Sequence, residues 1–182
     1  MMPGPLRYRF RVGCPAERAF ELWTESAGVW WPMATHSVSG RGDSVLVIEP
    51  GPGGGIYEQT AGGRQFSWGT VVAWEPPRRL VCEWLVGDTP TELEVRFAPG
   101  ADGGTVVQIE HRGWERFSIA PVAGGMSRGW AELAGTRLKG PVETATRAGI
   151  DPDQLHTIRS IRLESDRGRA TQSGLFDLRD SS

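Results

Sequence analysis

The stretch WGTVVAWEPPRRLVCEW at positions 68–84 shows the most regular alternation of apolar and polar residues in the chain. Side chains alternate between the two faces of a strand, so it predicts two long antiparallel strands joined by a turn at Pro76 and Pro77. The residues expected on the apolar face are Phe66, Trp68, Thr70, Val72 and Trp74 on the first strand, and Leu80, Cys82, Trp84 and Val86 on the second. Rings as large as tryptophan either fill a compact core or line a concave surface that holds a flat apolar molecule.

The N-terminal part of the chain predicts one strand followed by two short helices. Apolar residues alternate with three arginines from Leu6 to Val12, which is typical of a half-buried strand with a charged outer face. Pro15 suits the first turn of a helix, and Ala16, Ala19, Phe20 and Trp23 follow at helical spacing. The segment SAGVWWP at 26–32 allows one or two further helical turns before Pro32 ends them.

The middle of the chain predicts an antiparallel meander, because β-branched and aromatic runs alternate with clusters of Gly, Pro and Asp. The predicted strands cover residues 44–49, 55–60, 64–75, 79–87, 91–98 and 104–112. A long helix is predicted over residues 122–139, where apolar residues recur at helical spacing before Gly140 and Pro141. Residues 1–140 are therefore expected to form one domain, and residues 141–182 an extension that is partly helical and partly disordered.

Composition and charge narrow the class of protein. The chain has 182 residues, of which 38% are hydrophobic, enough for one well-buried domain. Its 20 basic and 22 acidic residues give a formal charge of -2, which argues against nucleic acid or an anionic membrane as partner. The N-terminus lacks the apolar core of a signal peptide, so we expect a cytoplasmic protein. Cys14 and Cys82 have no metal-type spacing and are expected to be buried thiols.

Four segments, taken in order, carry a resemblance to a known family. They are WWP at 30–32, GTVVAWEPPRRLVCEW at 69–84, GGTVVQIEHRGW at 103–114 and GW at 129–130. Together they resemble the SRPBCC superfamily and, within it, the bacterial domain similar to the activator of Hsp90 ATPase, over roughly residues 5–139. The element order and this resemblance imply an α+β helix-grip fold, in which a curved antiparallel sheet of about seven strands wraps a long C-terminal helix. Two short helices follow its first strand.

The resemblance implies a cavity rather than a particular reaction. The superfamily includes lipid and plant-hormone carriers, aromatases and cyclases of polyketide pathways, and proteins that resist enediyne antibiotics by binding them, so the fold does not fix the function. Several elements are expected to contribute aromatic side chains to the cavity, although each ring alone is equally able to fill the core. The predicted ligand-contacting residues are Trp31, Glu58, Trp68, Trp84, His111, Trp114, Met126 and Trp130.

Two of these residues are titratable. Continuing the strand parity places His111 on the interior, where it can orient a ligand, act as a general acid or base, or simply bond to its neighbours. Glu58 shares the parity of Ile56 and either faces inward or, as we favour, lies at an edge paired with an arginine. No nucleophile motif accompanies His111, and the three histidines are too scattered for a metal site. We therefore predict neither a metal nor a cofactor.

Three functional hypotheses remain. The first is a non-catalytic protein that holds a small apolar or aromatic ligand between the sheet and the helix 122–139, in natural-product biosynthesis or resistance. The second is an enzyme of the cyclase or hydratase kind, with His111 and Glu58 as acid and base. The third is a chaperone-type cofactor that binds a protein partner through residues 140–182.

Overall fold

The computed structural model describes residues 4–86 and 88–117. Its elements are β1 (Leu6–Val12), α1 (Ala16–Thr24), α2 (Ala27–Trp30), β2 (Val45–Ile48), β3 (Gly55–Gln59), β4 (Gln65–Glu75), β5 (Arg79–Val86), β6 (Thr89–Pro99), β7 (Thr105–Arg112) and a 3₁₀ turn, Trp114–Arg116. The predicted elements up to residue 112 are present, with ends that differ by a few residues. The predicted helix 122–139, with Met126 and Trp130, and the extension 141–182 lie outside the described residues.

All the strands join one antiparallel sheet of seven strands in the order β1-β7-β6-β5-β4-β3-β2. Consecutive strands from β2 to β7 are neighbours, as the meander pattern predicts, and β1 pairs along its whole length with β7. The first strand of the chain therefore extends the sheet beyond its last strand. This α+β architecture, a curved sheet with two short helices after β1, is the predicted helix-grip fold.

The two helices cover the inner face of the sheet, the face that carries the buried residues. Helix α1 buries Phe20 and Trp23, and the Phe20 ring meets the rings of Trp74 and Phe97 edge to face at 5.1 and 5.4 Å. The Trp23 ring lies 4.8 Å from that of Trp30, which ends α2. The residues of α1 that the sequence places on one side of the helix thus lie in the core, as predicted. In the part of the chain that the structure describes, no helix is long and apolar enough to cross a membrane.

Strand β4 departs from simple alternation at two positions. The pairing with β3 shifts between Ile56 and Tyr57, so that Trp68 has no partner on β3. The pairing with β5 shifts between Val71 and Ala73, so that Val72 has no partner on β5. A residue inserted in this way bends a strand and reverses which face later side chains occupy. Val71 is consequently 1% exposed and Val72 57% exposed. The prediction that Val72 shares the face of Trp68 is wrong for this reason.

Gly69 makes the first of these bulges possible. Its φ is +151°, and a Cβ atom at this position would collide with the carbonyl oxygen of Glu83 on β5. The close approach of the two strands therefore requires glycine here. Thr70 is exposed as a result, although the alternating pattern places it on the apolar face.

The two adjacent valines of β4 test the bulge. Val71→Ala is expected to lower the free energy of unfolding by about 2 kcal/mol, because it removes buried methyl groups and leaves a cavity. Val72→Ala is expected to change it by less than about 0.5 kcal/mol, because that side chain is exposed. Urea denaturation of the two variants measures both values. Equal losses, or a larger loss at Val72, would contradict the observed register.

Candidate functional site

Three tryptophans from different parts of the chain meet on the inner face, and we call Trp31, Trp68 and Trp84 the tryptophan cluster. Trp68 and Trp84 lie on the neighbouring strands β4 and β5, and Trp31 follows α2. The ring centroids are 5.0 Å apart for Trp31 and Trp68 and 5.6 Å apart for each of the other two pairs. No ring is more than 5% exposed. The fold thus brings together three of the predicted site residues.

The indole N–H groups in and around this cluster differ in their partners. Trp31 Nε1 donates to the carbonyl of His36 at 2.8 Å, and Trp30 Nε1 donates to the carbonyl of Leu22 at 2.9 Å. Trp68 Nε1 has no partner, and it is the one buried side-chain nitrogen or oxygen in this condition among the described residues. Buried polar groups are nearly always hydrogen-bonded, so an unpaired donor marks an exceptional position.

Little free space remains between the tryptophan cluster and the described side chains around it. A void of about 10 Å³ lies among Trp23, Trp30, Trp31, Leu46, Ile48, Leu80, Cys82, Trp84 and Leu93. This is roughly the space that one water molecule needs, whereas pockets for drug-sized ligands span about 300–1,000 Å³. In this conformation the described side chains around the void leave no room for a ligand among them unless one of the rings moves.

Glu58 is completely buried on β3, and its carboxylate binds the loop between α2 and β2. It accepts hydrogen bonds from the hydroxyls of Ser37, Ser39 and Ser44 and from the Val38 N–H at 2.8 Å. The prediction that Glu58 pairs with an arginine is therefore wrong, because serine hydroxyls and backbone N–H groups bind it instead. Burial alone would raise the pKa of this carboxyl, but the hydrogen bonds lower it to about 2. Glu58 is ionised at neutral pH and has no proton to donate as a general acid.

The loop at residues 32–44 links Glu58 to the tryptophan cluster. Glu58 binds Ser37, Val38 and Ser39, and the preceding residue, His36, supplies the carbonyl that accepts the Trp31 N–H. The position of the Trp31 ring therefore depends on the loop, and the loop depends on the carboxylate. Trp68 and Trp84 lie on strands inside the sheet and have no such dependence.

His111 is buried on β7 at the same end of the inner face as Trp84. Thr91 Oγ1 donates to the Trp84 carbonyl at 2.6 Å and lies 2.7 Å from His111 Nε2. Because the one hydroxyl proton goes to the carbonyl, the imidazole N–H donates to Thr91, which assigns the proton to Nε2. Burial lowers the pKa of His111 to about 4, so the ring is neutral at neutral pH.

Trp114 packs against His111 and, with Thr91, completes a second group of buried residues. Its ring lies 4.6 Å from the His111 ring, and its N–H donates to the His111 carbonyl at 2.8 Å. Both residues are fully buried, so His111 lies in packed protein rather than at an open cavity mouth. Thr91 joins this group to the cluster through Trp84. Thr91 pairs with Trp84, and the strand alternation that indicates His111 could also have identified it. The serines that bind Glu58 lie in a loop without periodicity, so no comparable signal marks them.

A larger depression lies on the outer face of the sheet, but most of its charges already bind one another. It has a volume of about 330 Å³ and is lined by Arg7, Tyr8, Arg9, Glu94, Arg96, Gln108, Ile109 and Glu110. Arg96 bonds to Glu94 at 2.8 Å, and Arg7 bonds to Glu110 at 2.7 Å. Burial would raise the pKa of Glu94, but bonds from Arg79, Arg96 and Arg112 lower it to about 2. A ligand that binds the paired residues here would have to displace ion pairs, so the inner face is the stronger candidate.

The antiparallel sheet, the two helices after β1 and the aromatic inner face define a protein of the helix-grip class. The sequence matches the model of the family described as activator of Hsp90 ATPase homolog 1-like protein over residues 13–143. The chain therefore belongs to this family. Comparison with curated proteins found no match.

Solved structures with similar folds come from proteins of different activities. The anthrahydroquino-γ-pyrone synthase Txn09 is 27% identical, with a TM-score of 0.51 over 73% of this chain and 96% of that chain. The self-sacrificing resistance protein CalC from Micromonospora echinospora is 20% identical, with a TM-score of 0.58 over 79% of this chain and 97% of that chain. The Hsp90 activator PFC0360w from Plasmodium falciparum is 14% identical, with a TM-score of 0.53 over 71% and 89%. The last two show a common fold alone.

Replacement of Glu58 tests the link between carboxylate and loop. Glu58→Gln is expected to lower the free energy of unfolding by about 2 kcal/mol at neutral pH, because hydrogen bonds to a charged acceptor are lost. The folded-state pKa of about 2 is below the ordinary 4.5, so this contribution is complete above pH 4.5 and is lost as the pH falls toward 2. The variant should therefore lose less stability than the wild type over that range, as urea denaturation at each pH measures.

Glu83→Gln is the matched control, because Glu83 is an exposed glutamate on the adjoining part of the sheet. It is expected to follow the wild type at every pH. If Glu58→Gln also ran parallel to the wild type from neutral pH to acid, the hydrogen bonds to Glu58 would contribute nothing to the folded state. Glu94 titrates in the same range, so only the difference between variant and wild type reports on Glu58.

Proposed function

We propose that the chain binds a small apolar or aromatic molecule at the tryptophan cluster. The observation that carries this proposal is the meeting of Trp31, Trp68 and Trp84 on the inner face, with ring centroids 5.0 to 5.6 Å apart. The names of two structural neighbours, a pyrone synthase and a self-sacrificing resistance protein, support a role in natural-product biosynthesis or resistance. Family membership leaves a protein partner as a further possibility, for which the described residues offer no separate support.

A flat ligand is suited to this site because it can replace contacts that the rings already make. An aromatic pair contributes about 0.5–1.5 kcal/mol beyond the area it buries. A ligand ring that takes the place of Trp31 against Trp68 and Trp84 recovers those contacts. The net cost of binding is then mainly that of moving the Trp31 ring and its loop.

Trp31 is the ring most able to move. Trp68 and Trp84 belong to β4 and β5, which have strand neighbours on both sides. Trp31 follows a helix of four residues, and its indole N–H donates to the loop carbonyl of His36. Loops have fewer backbone restraints than sheet interiors and open at lower free-energy cost. We therefore assign Trp68 and Trp84 as the fixed wall of the site and Trp31 as its movable cover.

A ligand panel tests the proposal. Hydrophobic and aromatic compounds, including polyketide-like ones, are added to the protein, and tryptophan fluorescence and the melting temperature are recorded. At least one compound is expected to quench the fluorescence and raise the melting temperature, since binding to the folded state stabilises it. Trp84→Phe should weaken that compound by about fivefold, equivalent to about 1 kcal/mol of lost ring contact.

Trp74→Phe provides the control. Trp74 is on the same strand as Trp68, but its ring contacts Phe20 rather than the cluster. This variant is expected to bind as the wild type does. A panel without any quenching or thermal shift would remove the proposal, and an equal loss in both variants would place the site elsewhere.

A second candidate is an enzyme of the cyclase or hydratase kind, which the 27% identity to a synthase favours. Glu58 is an unsuitable acid because its pKa is about 2. His111 remains the acid–base candidate, and its pKa of about 4 restricts it to the neutral imidazole at physiological pH. A neutral imidazole accepts a proton as a base, so this hypothesis requires His111 as the base and a different group as the acid.

The histidine is tested with the compounds that bind. Each is incubated with the wild type and with His111→Ala, and products are analysed by chromatography and mass spectrometry. If the chain is an enzyme of this kind, turnover should fall by about 10²–10⁴-fold in the variant, the usual contribution of a general base. Near-UV circular dichroism checks that the variant is folded. Unchanged turnover would exclude His111 from the mechanism, and the absence of product with the wild type would leave the binding function alone.

A further inference from the structure

We propose that the ligand carries an uncharged hydrogen-bond acceptor, such as a ring carbonyl, and that Trp68 Nε1 donates to it. Trp68 is then the residue that determines specificity, because it distinguishes an aromatic ketone from the hydrocarbon of the same shape. This inference rests on the proposed ligand-binding function and adds the chemical class of the ligand.

The first step is the unsatisfied donor. Trp68 is 5% exposed, and its N–H has no hydrogen-bond partner. Leaving such a group unpaired costs about 1–3 kcal/mol, which folded proteins usually avoid. By contrast, the indole N–H groups of Trp30, Trp31 and Trp114 all donate to backbone carbonyls. The cost at Trp68 is recovered when a ligand oxygen accepts this bond.

The second step is the place of the donor within the cluster. The Trp68 ring meets the Trp31 ring at 74° and the Trp84 ring at 79°, so both neighbours contact it edge to face. A ligand that displaces Trp31 therefore comes into direct contact with Trp68. A polar group on that ligand then has a donor available in surroundings that are otherwise aromatic and aliphatic.

The third step is the charge of the acceptor. Among the described residues, the buried polar and charged side chains include no lysine or arginine that would neutralise an anion. Glu58, on the strand next to Trp68, is ionised and would repel one. His111 is neutral at physiological pH. A carboxylate or phosphate would therefore be buried without a counter-charge, which is costly, whereas a carbonyl oxygen needs only the one donor.

The test uses three probes with one ring system: fluorene, fluorenone and fluorenone-2-carboxylate. Their affinities for the full chain are measured by calorimetry. Fluorenone is expected to bind about tenfold more tightly than fluorene, since one buried hydrogen bond is gained, and the carboxylate is expected to bind more weakly than fluorenone. Trp68→Phe keeps an aromatic ring without the N–H and should make fluorene and fluorenone equal. Trp74→Phe should retain the preference.

A spectroscopic measurement on the unaltered protein makes the test independent of how the variant folds. The ¹⁵N–¹H spectrum contains an indole signal for each of the eight tryptophans. The Trp68 indole proton, assigned by through-space contacts, should shift downfield on addition of fluorenone and remain near its free position with fluorene.

The outcomes separate the two proposals. Equal affinities of the wild type for fluorene and fluorenone, or an unshifted Trp68 signal with bound fluorenone, would overturn the assignment of Trp68 while leaving aromatic binding intact. Tighter binding of the carboxylate would overturn the requirement for an uncharged acceptor. Failure of all three probes to bind would overturn both this inference and the proposed function for ligands of this ring size.

Discussion

The hydrogen bonds between the buried Glu58 carboxylate and the loop at residues 32–44 determine how the inner face is closed. They hold the loop against β3, the loop carbonyl of His36 holds Trp31, and Trp31 completes the tryptophan cluster. An ionised group in the interior is stable only when its lone pairs are satisfied, and here hydroxyl and backbone donors satisfy them without a cation. The carboxylate thus anchors the loop to β3.

Three buried polar groups give the inner face its chemical character. Glu58 is charged and fully bonded, His111 is neutral and bonded to Thr91, and the Trp68 N–H is unpaired. None of the three is a cation, so these groups offer no counter-charge to an anion; what they leave available is one unpaired donor among aromatic rings. These properties support the proposed binding of a neutral ring compound.

Regular spacing of apolar residues was sufficient to predict β5, β7 and α1, because each has one buried face, and Pro32 marked the end of the short α2 segment. It failed on β4, where bulges at Trp68 and at Val72 reverse the faces, since a bulge depends on the neighbouring strand and on the close approach at Gly69. The partners of Glu58 could not be predicted, because the serines lie in a loop whose path is set by tertiary contacts. Whether the Trp68 N–H is paired depends equally on three-dimensional packing.

The division of the site between a sheet and a loop has a consequence for its evolution. The wall formed by Trp68 and Trp84 is tied to strand register, so substitutions there disturb the whole fold. The proposed cover, Trp31 and its loop, is held in part by hydrogen bonds to one carboxylate and one carbonyl. Loops tolerate sequence change far better than sheet interiors. At the proposed site, substitutions confined to the loop would therefore change the cover while leaving the aromatic wall intact.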